Sequence, residues 1–133
     1  MKYTPSQDAA IGCTDRNLQI IACAGSGKTQ VIAARAVELL RRGSAVPANI
    51  VAFTFTDKAA AELKDRIRSL AAKELGDVRG LAEMYVGTIH GFCLELLQNY
   101  LFEFLKYNVL NEMQTRLLVS RTVRNLDWQR WGS

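Results

Sequence analysis

The 133 residues are enough for one domain, or for the front part of a larger one, with a modest core. Lys and Arg total 17 against 13 Asp and Glu, and the resulting charge of +4 permits an anionic partner without requiring one. The sequence shows no signal-peptide pattern and no apolar run long enough for a membrane span, and 49% of it is hydrophobic, so we expect neither a secreted or membrane protein nor a disordered one.

The cysteines predict a reducing compartment. Cys13, Cys23 and Cys93 are odd in number and widely spaced, and none forms a CxxC pair. The single histidine, His90, does not combine with them at zinc-ligand spacing. We therefore expect reduced thiols in a cytoplasmic protein and no structural metal site.

The first third of the chain predicts a helix, a strand and a second helix. Pro5 suits the first turn of a short helix that ends near Asp15, and the apolar run Leu18–Ala22 predicts a buried strand. From Lys28 the pattern is helical, and it ends at Gly43. The predicted apolar stripe of this second helix is Ile32, Ala36, Leu39 and Leu40.

The middle of the chain repeats this order. Ile50–Phe55 is rich in β-branched and aromatic residues and predicts a second strand, after which Thr56 or Asp57 can cap a helix. The apolar positions of that helix recur at three and four residues and are Ala60, Leu63, Ile67, Leu70 and Ala71.

The last third predicts a loop over 76–80, a short third strand over Met84–Gly87, and a helix that begins after Thr88. The predicted apolar residues of that helix are Cys93, Leu96, Leu97, Tyr100 and Leu101. Residues 102–110 show no regular pattern, and 111–125 predict a last helix. Trp128 and Trp131 lie near the end of the given sequence.

Strands alternating with helices predict right-handed βαβ units and a parallel sheet, which is an α/β fold. About three strands make a thin sheet beside the usual five or six of a doubly wound domain. The sequence therefore predicts an incomplete domain.

The segment Ala22-Cys23-Ala24-Gly25-Ser26-Gly27-Lys28-Thr29 fits a P-loop between a predicted strand and a predicted helix. Backbone N–H groups at a helix N-terminus meet a triphosphate with aligned donors, and Gly25 and Gly27 let the backbone approach closely. In such a loop Lys28 reaches the β- and γ-phosphates, and the Thr29 hydroxyl binds Mg²⁺. We therefore predict a site for a nucleoside triphosphate and Mg²⁺, with Lys28 and Thr29 as its catalytic residues. A P-loop alone leaves kinases, transporters, GTPases and motors open. Cys23 fits a small apolar loop residue better than a catalytic thiol.

Four blocks of sequence, Tyr3–Gln7, Ala24–Thr29, Ala52–Leu63 and Gly87–Cys93, carry a resemblance to a known family. In order and spacing they resemble the UvrD/Rep/PcrA-like group of superfamily 1 DNA helicases, including relatives in AddA- and RecB-type nucleases. The first block is similar to that family's Q motif, which implies that Gln7 recognises adenine. Considered alone, Gln7 fits an ordinary exposed helix position better.

The other blocks imply further roles. The second is the family's form of the P-loop, which implies ATP contacts by Ala22, Cys23, Ala24, Gly25, Ser26, Gly27, Lys28 and Thr29. The third resembles motif Ia, with Asp57 in place of the usual asparagine. It implies that Phe55 stacks on bases of single-stranded DNA and that Thr54, Thr56 and Lys58 contact phosphates. Without the family, Phe55 fits core packing better.

The fourth block resembles a GTxHxF motif that lines the DNA path, which implies DNA contacts by Thr88 and His90. A lone histidine is more often structural, however, and nothing in the sequence supports a metal role for it.

The resemblance implies a RecA-like P-loop NTPase fold, a parallel sheet with flanking helices. Residues 1–100 would be the N-terminal part of ATP-binding domain 1A, and 101–133 would begin an inserted helical subdomain. The implied activity is ATP-dependent translocation on single-stranded DNA and unwinding of duplex DNA, with a second RecA-like lobe as partner and no membrane. Because a Walker B acidic pair and arginine fingers are absent from the sequence, the chain alone is expected not to hydrolyse ATP. The alternatives are a small P-loop nucleotide phosphotransferase and a non-catalytic module that binds nucleotide or DNA.

Overall fold

A computed structural model describes residues 3–76 and 78–124. The chain divides into two compact units, Met1–Glu95 and Leu96–Ser133. The elements of the first unit are α1 (Pro5–Gly12), α2 (Lys28–Arg41), β1 (Val51–Thr54), α3 (Asp57–Glu74), β2 (Tyr85–Thr88) and the first part of α4 (Ile89–Tyr100). The second unit contains the end of α4 and helix α5 (Glu112–Arg124).

Helix α1 begins with a reciprocal cap. The backbone N–H of Gln7 donates to Thr4 Oγ1 over 3.3 Å, and the backbone N–H of Thr4 donates to Gln7 Oε1 over 2.9 Å. Pro5 follows at the first helical position, where its missing N–H costs no hydrogen bond. The helix ends at Gly12, earlier than the predicted end near Asp15, and none of its residues is buried.

The predicted buried strand at Leu18–Ala22 is wrong. The segment has no strand structure in the described chain, and its side chains are exposed, Ile21 to 89%. A strand needs a neighbour to accept and donate its backbone hydrogen bonds. Within residues 3–76 and 78–124, β1 and β2 pair only with each other, so this apolar segment has no ladder to join.

Helix α2 packs with small side chains. Its buried residues are Val31, Ala33, Ala34, Ala36 and Val37. The predicted stripe was right for Ala36 and wrong for Ile32, which is 44% exposed, while Leu39 and Leu40 are partly buried against the core. The alanines leave little side-chain bulk on the buried face, which lets α2 lie close to its neighbour α3.

The two strands form a parallel pair joined by α3, as the predicted βαβ order requires. The register aligns Val51 with Tyr85 and Thr54 with Thr88, so both strands end at the same edge of the sheet. Helices α3 and α4 begin at that edge. The α/β architecture is thus confirmed, with two strands in the described residues where three were predicted.

The core lies between this sheet and helices α2 and α3. Its buried members are Ala33, Ala36, Val37, Ile50, Leu63, Ile67, Ala71 and Met84. The predicted buried positions of α3 are confirmed for Ala60, Leu63, Ile67 and Ala71, while Leu70 is partly buried.

In the second unit, a 3-10 helix at Phe102–Lys106 lies within the stretch for which no regular structure was predicted. Helix α5 begins after Asn111, whose side chain accepts from the Gln114 backbone N–H over 2.9 Å. Asn125, Trp128 and Trp131 lie outside the described residues. None of the helices in the described ranges is long and apolar enough to cross a bilayer.

Candidate functional site

The loop before α2 has the backbone that a P-loop needs. Gly25 and Gly27 have φ angles of +76° and +84°, which residues with a side chain rarely adopt. Gly27 is the N-cap residue of α2, and the first N–H groups of a helix have no acceptor within it. The residues from Ala22 to Ser26 are largely exposed, so an anionic ligand can reach these donors.

Lys28 is bound to its own loop. Its Nζ donates to the carbonyl oxygen of Ala22 over 2.9 Å and also to that of Cys23. Thr29 follows in the first turn of α2 and is exposed. The predicted triphosphate-binding residues therefore lie together at one helix terminus.

The residues fit Mg²⁺ only in part. Among the described residues there is no group of three or more His, Cys, Asp or Glu side chains that could hold a metal ion. The exposed Thr29 hydroxyl would supply one oxygen ligand. Mg²⁺ in nucleotide sites takes most of its ligands from phosphate oxygens, water and one or two carboxylates, so a single hydroxyl is compatible with a shared site.

Gln7 joins α1 to the predicted P-loop at residues 22–29, called the phosphate loop below. Its Nε2 donates to the carbonyl oxygen of Ser26 over 3.1 Å, while its Oε1 accepts the Thr4 N–H of the helix cap. A Cβ at Gly27 would lie 3.2 Å from Gln7 Nε2, so glycine there also leaves room for this side chain. Both ends of the amide are thus engaged within the protein.

A cavity of about 270 Å³ lies next to this contact. Gln7 and Ala10 of α1 form part of its lining, and Lys28 and Val31 of α2 form another part. The remaining lining residues are Thr4, Ser6, Ile20, Ile21, Ala22 and Ser26. Small-molecule sites occupy roughly 300–1,000 Å³, so this cavity has room for part of a nucleotide beside the phosphate loop.

The turn between β1 and α3 presents an aromatic side chain and polar groups. Thr56 caps α3 by accepting from the Ala59 N–H over 3.2 Å, and Thr54 Oγ1 donates to the Thr56 carbonyl oxygen over 3.0 Å. Phe55 between them is completely exposed, at 104%, so the core-packing alternative is wrong for it. Lys58 is also exposed, in the first turn of α3.

The turn between β2 and α4 lies beside it. Thr88 Oγ1 accepts from the Gly91 N–H over 3.2 Å at the start of α4, and His90 is exposed in the first turn. Because Thr54 and Thr88 are partners in the strand register, the two turns share one edge of the sheet. The sheet therefore brings together all six residues that were predicted to contact DNA, namely Thr54, Phe55, Thr56, Lys58, Thr88 and His90.

Tyr85 supports the second turn and was not singled out from the sequence. Its hydroxyl donates to the Thr88 carbonyl oxygen over 3.0 Å, and burial raises the pKa of this phenol. Its ring packs edge-to-face on Phe92 at 4.9 Å and on Phe53 at 6.2 Å between centroids. A Cβ at Gly87 would lie 2.5 Å from the Tyr85 hydroxyl oxygen, so the phenol needs a glycine beneath it. The sequence did contain a signal for this contact, because residues two positions apart in a strand lie on the same face and Tyr85 is two positions before Gly87.

Side chains of α2 and of Arg42, which follows it, bind the segment that carries Gln7. Gln30 Nε2 donates to the Tyr3 hydroxyl over 3.1 Å, and Arg35 Nη1 donates to the Ala10 carbonyl oxygen over 2.8 Å. Arg42 Nη1 donates to Thr14 Oγ1 over 3.1 Å. Sequence reasoning did not single out these contacts, because each joins residues at least 25 positions apart.

Glu38 lies in the same helix and pairs with two arginines that follow it, Arg41 and Arg42. Hydrogen bonding from Arg41, and then from Arg42, lowers the pKa of Glu38 to about 2, against the opposing effect of burial. The Glu38 carboxylate in turn raises the pKa of Arg41. The three charges form a network at the C-terminal end of α2, away from the phosphate loop at its N-terminus.

Comparison with known proteins finds relatives that are all named as helicases. The chain is 34% identical over 139 aligned positions to one subunit of an ATP-dependent helicase/nuclease of Limosilactobacillus reuteri, covering 94% of this chain and 10% of that protein. It is 39% identical to "ATP-dependent DNA helicase PcrA" of Bacillus subtilis over 71% of this chain and 12% of the relative. For "DNA helicase II" of Escherichia coli, identity is 34% over 94% of this chain and 17% of the relative.

The chain thus spans between a tenth and about a sixth of the length of these relatives. A model of the UvrD/REP helicase N-terminal domain matches residues 3–129, which is nearly all of the sequence. This match includes the phosphate loop, the Gln7 contact and both turns at the sheet edge. The chain therefore belongs to the UvrD/REP helicase N-terminal domain family.

Proposed function

We propose that this chain supplies the ATP-binding and DNA-contacting turns of an ATP-dependent DNA helicase. Residues 1–100 would form part of a RecA-like domain 1A, and 101–133 would begin an inserted helical subdomain. The observation that carries the proposal is the exposed phosphate loop at the N-terminus of α2, joined to Gln7 by a hydrogen bond. Family membership supports a helicase over a small nucleotide phosphotransferase.

ATP binding follows from the chemistry of the loop. The N–H groups at the start of α2 and the Lys28 ammonium are matched to phosphate oxygens, and Thr29 supplies one oxygen to Mg²⁺. The cavity beside Gln7 accommodates the nucleoside end. For Gln7 to contact adenine, its amide must exchange the Ser26 and Thr4 partners for groups on the base.

Single-stranded DNA binding follows from the two turns at the sheet edge. An exposed aromatic ring stacks on any base, and helix N-termini with hydroxyl groups bind phosphates. Phe55 supplies the ring, and Thr56 and Thr88 stand at the two helix starts. Translocation and duplex unwinding would be the work of the whole motor, in which a second RecA-like lobe completes the ATP site.

This chain alone is expected not to hydrolyse ATP. The sequence lacks the acidic pair that follows a hydrophobic strand in such motors and activates water. We expect nucleotide binding without release of phosphate.

The proposed ATP binding is tested by titrating the chain with ATP and Mg²⁺ in a calorimeter. Lys28→Ala should weaken binding at least about tenfold, as expected for removal of a charged hydrogen-bond donor to phosphate. Lys73→Ala is the matched control, because Lys73 is an exposed lysine in the last turn of α3. Equal affinities of the Lys28→Ala variant and the unmodified chain would refute ATP binding by this loop.

The proposed binding of single-stranded DNA is tested by measuring the affinity of the chain for a fluorescent oligothymidylate. Phe55→Ala should remove about 1–3 kcal/mol of stacking free energy and weaken binding about 5- to 150-fold. Phe102→Ala removes an equally apolar, 87% exposed ring from the second unit and should have no effect. If both variants bind like the unmodified chain, the sheet edge is not the DNA site.

A further inference from the structure

Helix α1 is held in place with only partial apolar burial, at Ala10 and Ile11. It has no buried residue, yet it contributes Gln7 and Ala10 to the lining of the cavity beside the phosphate loop. An eight-residue helix is too short to be stable by itself in water. Polar contacts must therefore supply much of what keeps α1 against α2.

Arg35 makes the most direct of these contacts. Gln30 and Arg42 bind Tyr3 and Thr14, which flank α1, whereas Arg35 Nη1 donates to a carbonyl oxygen of the helix itself, that of Ala10. This bond is 2.8 Å long and half-buried.

The acceptor explains why an arginine suits this position. The carbonyl of Ala10 is among the last four of α1, which have no partner inside the helix. The negative end of the helix dipole also favours a cation there. Arg35 therefore satisfies an unpaired carbonyl and places a positive charge at the favourable end of α1.

The same bond joins two walls of the cavity. Ala10 lines it from α1, and Val31 lines it from α2, one turn before Arg35 on the same side of the helix. The Arg35–Ala10 bond includes no residue of the phosphate loop. Apart from the Gln7 contact to Ser26, the loop has hydrogen bonds of its own, from Lys28 to the carbonyls of Ala22 and Cys23, so its phosphate donors do not depend on α1.

We propose that Arg35 is a positioning residue that holds α1, and with it Gln7, against α2 and so sets the width of the cavity that receives the nucleoside part of the nucleotide. This inference rests on the proposed ATP-binding function. Loss of the Arg35 contact weakens binding of ligands that carry a base and a ribose, but not binding of a polyphosphate alone. If α1 stays docked in about one-tenth of the molecules, the dissociation constant for ATP rises about tenfold.

The experiment compares ATP with inorganic tripolyphosphate, both with Mg²⁺, on the 133-residue chain. Arg35→Gln should raise the dissociation constant for ATP about tenfold and leave that for tripolyphosphate unchanged. Arg35→Lys keeps a cationic donor and should recover part of the ATP affinity. Arg41→Gln removes the same charge from the same helix without touching α1, since Arg41 binds Glu38, and should change neither constant.

The possible results separate the two proposals. Unchanged ATP affinity in Arg35→Gln would overturn the positioning role and leave ATP binding intact. An equal loss for ATP and tripolyphosphate, without recovery in Arg35→Lys, would assign Arg35 to general folding and also overturn it. If the unmodified chain binds neither ligand, the proposed function itself fails. Thermal unfolding of each variant by circular dichroism identifies any that do not fold.

Discussion

Replacing Gly87 with alanine places a methyl carbon where the phenol of Tyr85 now lies. The added Cβ would stand 2.5 Å from the Tyr85 hydroxyl oxygen, 2.7 Å from Cζ and 3.0 Å from Cε1. Such distances are too short for non-bonded atoms, which attract best at about 3.5–4.0 Å. The φ angle of Gly87 is not in the left-handed region, so alanine is otherwise acceptable there. The tyrosine ring must therefore move.

The contacts of the ring set the size of the effect. Moving it breaks the hydrogen bond from Tyr85 to the Thr88 carbonyl oxygen, which contributes about 1 kcal/mol. It also disturbs the edge-to-face contacts with Phe92 and Phe53, which contribute about 0.5–1.5 kcal/mol each. We expect Gly87→Ala to lower the free energy of unfolding by about 2–4 kcal/mol. The melting temperature should fall by about 10 °C or more.

A double-mutant cycle isolates this cause. Urea unfolding followed by circular dichroism gives the free energy for Gly87→Ala, for Tyr85→Ala and for the double variant. In the Tyr85→Ala background the new methyl group meets no ring, so Gly87→Ala should cost less than about 0.5 kcal/mol. Gly12→Ala is the matched control, because a Cβ there would meet Arg42 Nη2 at an ordinary 3.6 Å. The same cost for Gly87→Ala in both backgrounds would refute the reasoning.

Three further predictions concern pH and helix capping. Because the folded-state pKa of Glu38 is lowered to about 2, its contribution to stability is present above the ordinary value of 4.5 and is lost as the pH falls towards 2. Glu38→Gln should therefore flatten the acid limb of a stability–pH curve, and an unchanged limb would contradict the ion-pair network. Burial raises the pKa of Tyr85 above 10.0, so its contribution is present below that pH and is lost as the pH rises through the raised value. Tyr85→Phe should remove this alkaline loss in thermal melts recorded at increasing pH. Thr56→Ala should destabilise the chain by about 1 kcal/mol in urea unfolding, because it removes the oxygen that caps α3. Thr56→Ser keeps that oxygen and should destabilise the chain much less. Equal losses of stability in the two variants would argue against the cap.

Local signals predicted the parts of the site that depend on neighbouring residues. A cap at Thr56 or Asp57, a helix start at Lys28 and a strand within Ile50–Phe55 follow from residue types within a few positions. The structure has the cap at Thr56, the helix start at Lys28 and the strand at Val51–Thr54. The parallel pairing also follows, because a helix between two short strands forces a crossover. It was this pairing that brought the two turns to one edge.

Features that depend on distant residues could not be predicted in the same way. Leu18–Ala22 has the composition of a strand, but a strand exists only where another one accepts its hydrogen bonds. Phe55 is a residue type usually found in the core. It is exposed because the turn between β1 and α3 directs its side chain towards solvent. The Arg35–Ala10 contact joins two helices that local pattern cannot orient relative to each other.

The two carbonyl contacts of Lys28 have a consequence for how an anion is received. Two of its three N–H donors already have partners within its own loop, so a phosphate bound as proposed would meet one open donor and would reach the other two only by replacing the Ala22 and Cys23 oxygens. That replacement would exchange neutral acceptors for charged ones, which bind roughly twice as strongly. A neutral ligand would gain no such advantage from displacing the two carbonyls, so this lysine would favour anions over neutral molecules.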